Sequence, residues 1–227
     1  MPRLNPKSTV TLHDDVSSPF SEAYRNLKIN LDFAAVGLTV SIATIAVTSA
    51  APGEGKTTTA LQLAAAYARG GKNVLLVDGD IRKPSLHVLA GRGGRAGLTD
   101  YLADPNTVLF DVVHDSPLEG MSVMAAGTPV PNPSDLLASE RLDSLLQELK
   151  RRYDVVVIDT PPVLGAIDAK IVAAKCDGVL FVVEGGKVKR DAAKKALDEL
   201  NQVKARILGA TLTKVHRKDA QKYPYYS

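Results

Sequence analysis

The residues best suited to chemistry follow an apolar run that ends near position 48. Ala50-Ala-Pro-Gly53-Glu54-Gly55-Lys56-Thr57 has the form of a phosphate loop, G-x-x-x-x-G-K-[ST], with Ala50 in the first glycine slot. Gly53 and Gly55 allow backbone N–H groups to turn inward around phosphate oxygens. Lys56 reaches the outer phosphates and the Thr57 hydroxyl suits a Mg²⁺ ligand. A helix starting near Lys56 would point its positive end at the anion.

Two further apolar runs end in carboxylates. Val74-Leu-Leu-Val-Asp78-Gly79-Asp80-Ile-Arg82 carries two acids spaced to share one side of an extended chain. Val155-Val-Val-Ile-Asp159-Thr-Pro-Pro162 has the form of a Walker B strand, whose acid holds the metal directly or through water. Mg²⁺ usually takes one or two carboxylates plus phosphates. One acid of the three is then left over as a general base for an incoming hydroxyl. Asp78 is slightly favoured over Asp80 for that role. Arg82 either stabilises charge on a transferred phosphoryl group or pairs with one of these acids.

The elements that must hold these groups alternate along the chain. Strand-like runs occupy 40–48, 73–77, 122–125, 154–158, 178–183 and 207–212, with helical patterns over 56–69, 139–152, 166–175 and 188–203. Pro19 to Phe33 reads as a separate helix ahead of the first strand. Such alternation predicts an α/β fold, a mostly parallel sheet with helices on both faces. Ligands of these sheets bind at the carboxyl ends of the strands. The expected organisation is an N-terminal extension over 1–17, one nucleotide-binding domain over 18–215 and a tyrosine-rich tail over 216–227.

Composition narrows the function classes. The chain has 227 residues with 28 Lys and Arg against 25 Asp and Glu, a net charge of +3 that makes no case for nucleic acid. Aromatics are 5% and Trp is absent, which argues against a base-stacking platform or a membrane belt. The single cysteine, Cys176, excludes a disulfide framework and lies in an apolar helical stretch that suits core packing. His13, His87, His114 and His216 show no metal-ligand spacing. Met1 to Asp15 lacks the apolar stretch of a secretory signal. The uncharged stretch from Phe33 to Gly53 is broken by Gly37 and several Ser and Thr, so it reads as a buried strand, not a spanning helix.

With these motifs in order, the chain resembles the bacterial tyrosine kinases of capsule and exopolysaccharide export, P-loop enzymes unrelated to eukaryotic protein kinases. The likeness runs from about Ser18 to the end. Its three phosphate-site motifs match Pro52–Thr58, including Glu54, then Leu75–Arg82 in the D-x-D-x-R form, then Val155–Pro162. Gly127–Leu137 is similar to a Pro-rich stretch of the family, and Tyr223, Tyr225 and Tyr226 match its terminal tyrosine cluster. The partitioning and septum-site ATPases share the P-loop fold and give the alternative reading, a nucleotide switch without protein kinase activity. Their extra loop lysine falls at Ala51 here, which favours the kinase.

The resemblance implies ATP and Mg²⁺ as cofactors, autophosphorylation of the three tyrosines, and protein substrates. It also implies a transmembrane activator that recruits the cytoplasmic chain to the inner face of the membrane. Family members assemble into rings through E-x-x-R-x-x-R on the first helix, which reads Glu22, Arg25 and Lys28 here. Lysine keeps the charge but loses the two-pronged geometry of arginine. Where relatives often carry an adenine-reading Asn after the last strand, this chain has Thr213.

Overall fold

A computed structural model describes residues 18–36, 42–87 and 96–215. The expected extension 1–17 and the tail with Tyr223, Tyr225 and Tyr226 lie outside the described residues. The chain begins with α1 (Pro19–Ala35), whose start is written locally. Ser18 accepts the Ser21 N–H at 3.2 Å, Pro19 occupies the first turn, and Glu22 follows where an acid suits the helix dipole.

Seven strands form one sheet in the order β3-β4-β2-β5-β1-β6-β7. These are β1 (Thr44–Ser49), β2 (Val74–Asp78), β3 (Val113–Asp115), β4 (Met121–Met124), β5 (Val155–Asp159), β6 (Gly178–Glu184) and β7 (Ile207–Thr213). All neighbours are parallel except β3, an antiparallel edge strand paired with β4. The expected strands therefore form, displaced by a few residues at their ends. The short β3 is an addition that periodicity did not show.

Strand side chains alternate between two cores, as a sheet covered on both faces requires. Ile45, Val47, Leu76, Val157 and Leu180 point to the side covered by α2 (Lys56–Arg69), which Leu31 of α1 joins. Ala46, Leu75, Val77, Val156 and Phe181 point to the opposite side. There α6 (Glu140–Arg152) contributes Leu142, Leu145, Leu146 and Leu149, with α7 (Ile167–Lys175) and α8 (Arg190–Gln202) beside it. Full burial of each such leucine is worth about 1.5–3 kcal/mol. Three short helices, α3 (Leu98–Ala103), α4 (Leu109–Val112) and α5 (Pro133–Ala138), lie between β2 and α6 in sequence. Cys176 packs against this second core, and burial pushes its thiol up to about 12, which suits packing and not nucleophilic chemistry.

Candidate active site

The phosphate loop joins β1 to α2 at the carboxyl edge of the sheet. Gly53 and Gly55 adopt φ of +82° and +94°, a conformation that side-chain-bearing residues rarely hold. Ala50 fits the first glycine slot with no solvent exposure, packed in the core. Glu54 braces the loop from inside. Its Oε1 accepts the Ala51 N–H at 2.5 Å and its Oε2 accepts the Glu184 N–H at 3.3 Å. The Glu54 side chain, 2% exposed, therefore shapes the cradle and leaves phosphate contact to the backbone. Pro52 and Thr58 are exposed on the rim.

Lys56 and Thr57 open α2. The Thr57 hydroxyl donates to Asp159 Oδ2 at 2.5 Å, joining the loop to the end of β5. Asp159 is the register partner of Asp78 at the end of β2, so two buried carboxylates stand side by side. Asp78 Oδ2 accepts the Ser85 and Leu86 N–H groups at 2.9 and 2.8 Å. Asp78 Oδ1 and Asp159 Oδ1 are buried without any hydrogen-bond partner. Burial raises both carboxyls above the usual carboxylate range, Asp78 to about 6, and the neighbouring Asp78 charge raises Asp159 further.

The orphaned Asp159 Oδ1 calls for a cation. Together with the Thr57 hydroxyl and the cradle it fits Mg²⁺ held partly by phosphate, and the orphaned Asp78 Oδ1 beside it suits either the same cation or a proton. Among the described residues no group of three His, Cys, Asp or Glu side chains could hold a metal alone.

Asp80 departs from expectation. It does not share a strand side with Asp78, because β2 ends at Asp78. The chain peels away at Gly79, whose N–H donates to the Asp159 carbonyl at 2.7 Å. A Cβ on Gly79 would sit 2.7 Å from that same oxygen, so only glycine allows the approach. Asp80 follows, half-buried, accepting the Lys83 N–H at 3.1 Å. Burial raises its carboxyl, although Lys56 pulls the other way.

Arg82 pairs with none of the three motif acids. Its Nε and a terminal nitrogen grip Asp168 of α7 at 2.6 and 3.1 Å, and Ser134 of α5 donates to the same carboxylate at 2.6 Å. Burial alone would raise Asp168, but Arg82 and Ser134 outweigh it and hold the carboxyl low. Neither Asp168 nor Ser134 was singled out from sequence. Ser134 falls in the Pro-rich stretch 127–137, which was the available signal, whereas Asp168 sits in an ordinary first helical turn.

At the end of the last strand, the Thr213 hydroxyl donates to the Glu54 carbonyl at 2.6 Å and so props the phosphate loop. Next to it Lys214, at φ +52°, places Nζ 2.6 Å from the Gly53 carbonyl and 3.3 Å from Glu184. Lys214 was another residue the sequence left unmarked. A cavity of about 590 Å³ opens beside this prop, lined by Phe20, Leu27, Thr58, Leu212 and Val215.

On α1, Glu22 and Arg25 are exposed. Lys28 turns inward: Nζ meets Asp32 at 3.0 Å and lies 5.2 Å from the Tyr67 ring centroid, while the Tyr67 hydroxyl donates to Asp32 at 2.9 Å. The third position of the expected ring motif is thus engaged within its own chain, pinning α1 to α2.

Residues 42–213 match the AAA domain family AAA_31. The chain is 37% identical to the tyrosine-protein kinase YwqD of Bacillus subtilis over 206 residues, covering 91% of this chain and 86% of that protein. The chain belongs to the bacterial tyrosine-protein kinases. Among solved structures, this kinase-family fold superposes on the chimerical protein CapA2B2 with a TM-score of 0.85 at 33% identity, covering 92% and 91% of the two chains. It superposes on the kinase domain of Escherichia coli tyrosine kinase ETK with a TM-score of 0.84 at 31% identity, covering 96% and 83%.

Proposed function

We propose that this chain is an ATP-dependent protein-tyrosine kinase that phosphorylates Tyr223, Tyr225 and Tyr226 of its own C-terminal segment. The carrying observation is the Thr57–Asp159 hydrogen bond beside two orphaned carboxylate oxygens. It supports a metal-nucleotide site at which strand-end acids meet the phosphate loop. Loop N–H groups, Lys56 and Thr57 hold the triphosphate. The apolar cavity between Phe20 and Leu212 offers room for the base. Asp159 and Asp80 attend the metal, which supplies charge neutralisation when bound.

Asp78 takes the phenol proton as the tyrosine oxygen bonds to the γ-phosphorus and the bond to ADP breaks. Its fixed free oxygen and raised pKa near neutrality suit a base. Asp78 is fully buried, with its other oxygen held by the Ser85 and Leu86 N–H groups. Positioning and charge stabilisation carry most of the rate in such transfers.

Among the described residues no helix is long and apolar enough to cross a membrane. A separate transmembrane activator would bring the kinase to the inner membrane face, in the service of capsular or exopolysaccharide synthesis and export. Glu22 and Arg25 on the exposed side of α1, with the partly exposed Lys28 a turn further on, support self-association into a ring through this helix.

Incubation with Mg-ATP followed by intact mass tests the reading. Successive gains of about 80 Da, the mass of a phosphoryl group on the chain, are expected. They disappear when all three tyrosines become Phe. ADP release without any mass gain would select the nucleotide-switch alternative.

A further inference from the structure

The loop after β6 and the start of α8 carry a dense positive corner. Lys187, Lys189, Arg190, Lys194, Lys195 and Lys214 stand there against Glu184, Asp191 and Asp198, while Glu199 of the same helix is taken by Lys170 at 2.9 Å. Glu184 joins its two sides, standing 3.2 Å from Lys187 and 3.3 Å from Lys214. Lys189, Arg190, Lys194 and Lys195 are exposed, with Arg190 and Lys194 one helical turn apart. The described chain ends beside this corner. The Gly185 N–H donates to the Thr213 carbonyl at 2.8 Å, and a Cβ on Gly185 would lie 3.2 Å from Val215.

The remaining segment changes sign on phosphorylation. Residues 216–227 hold Arg217, Lys218 and Lys222 against Asp219, so like charge repels the unmodified segment from the corner. Its cations instead suit Asp80, the half-buried acid of the site. Each phosphate adds about −1.5 to −2, so three convert the segment from cationic to strongly anionic. It is then repelled by that acid and attracted by the lysines and Arg190. Tyr223 lies eight positions after Val215, a span of up to ~26 Å. The first turn of α8 adds only ~6 Å, so the corner is within reach.

We infer that the β6–α8 corner is the docking surface for the triply phosphorylated C-terminal segment of this chain, which withdraws the product from the active site. The inference rests on the autophosphorylation reading for its biological setting, but its test does not.

A synthetic peptide of residues 215–227 carrying phosphate on all three tyrosines is titrated, by fluorescence anisotropy, against the full chain with Tyr223, Tyr225 and Tyr226 changed to Phe. Saturable binding is expected, at least tenfold tighter than that of the unphosphorylated peptide and unchanged by saturating Mg-ADP. Lys189→Glu/Arg190→Glu/Lys194→Glu should weaken it at least tenfold, and the corresponding Gln triple variant by less. Affinity indifferent to both triple variants, equal affinity for the unphosphorylated peptide, or displacement by Mg-ADP would each overturn the assignment. The phosphates are placed chemically, so the outcome stands whether or not the chain modifies itself.

Discussion

Thr57 and Asp159 lie 102 residues apart in the chain, yet the threonine hydroxyl donates to the aspartate over 2.5 Å. Through this bond the first residues of α2 and the last residue of β5 hold one another in place.

Removing that hydroxyl should therefore affect chemistry more than folding. Thr57→Ala is expected to lower tyrosine phosphorylation by about a hundredfold or more, the scale of losing one preorganised charge-stabilising group. Thr57→Ser should retain most of it, and Lys56→Met should abolish labelling. Circular dichroism should show the folded form in all three. Labelling at the normal rate in Lys56→Met would remove the site.

Asp78 and Asp80 differ in burial, and that difference separates their expected losses. Asp78→Asn should depress kcat by about 10²–10⁴, the range for a general base. Asp80→Asn should mainly raise the Mg²⁺ concentration needed for half-maximal rate. Mg²⁺ titrations of both variants check this, and an exchange of the two patterns would exchange the roles.

Arg82 and Asp168 should behave as one unit. Ala at either position breaks the paired grip on a carboxylate that is itself fully buried. The double variant should cost less than the two single costs combined, with a coupling of about 0.5–3 kcal/mol in kcat/KM. Additive losses would mean that each residue acts separately.

Lys214 anchors the loop from outside through the Gly53 carbonyl. Lys214→Ala should weaken ATP binding roughly tenfold, equivalent to about 1.4 kcal/mol, with kcat less affected. Lys214→Arg should restore part of the loss. Kd measured with a fluorescent nucleotide separates this from general destabilisation.

Asp177 offers a pH-dependent prediction away from the active site. Burial would raise its carboxyl, but Lys150, the Ala43 and Thr44 N–H groups and the Thr44 hydroxyl outweigh that and hold it below the usual range. A depressed folded pKa gives stability that is present above the unfolded value and lost as pH falls through the folded value. Asp177→Asn should thus cost about 1–3 kcal/mol at pH 7. The gap to the parent chain should narrow as the solution is acidified. Urea midpoints across that range measure it.

The parts of this architecture readable from sequence are those with local causes. The second helix runs Lys56–Arg69 as expected, because a glycine-rich turn starts it and a Gly-Gly pair follows it. The buried parallel strands are visible as apolar runs ending in acids. The edge strand β3 was not, since three residues, two half-buried and one exposed, carry no periodic signal. Asp80 was misplaced because nothing local tells that Gly79 lets the chain press against the Asp159 carbonyl. Asp168, Ser134 and Lys214 escaped notice for a related reason. Their importance comes from partners 34 to 161 residues distant, which only the folded chain brings close.

Helix α1 rests on both α2 and β7, and Leu31 reaches the core beneath them. These are the two elements that grip the phosphate loop, one continuing from Lys56 and the other ending at Thr213, with Lys214 next in the chain. Any shortened version intended to retain nucleotide handling must therefore start upstream of Ser18. Trimming into this helix would strip the lining from an apolar cleft and leave Tyr67 and Asp32 without their shared lysine.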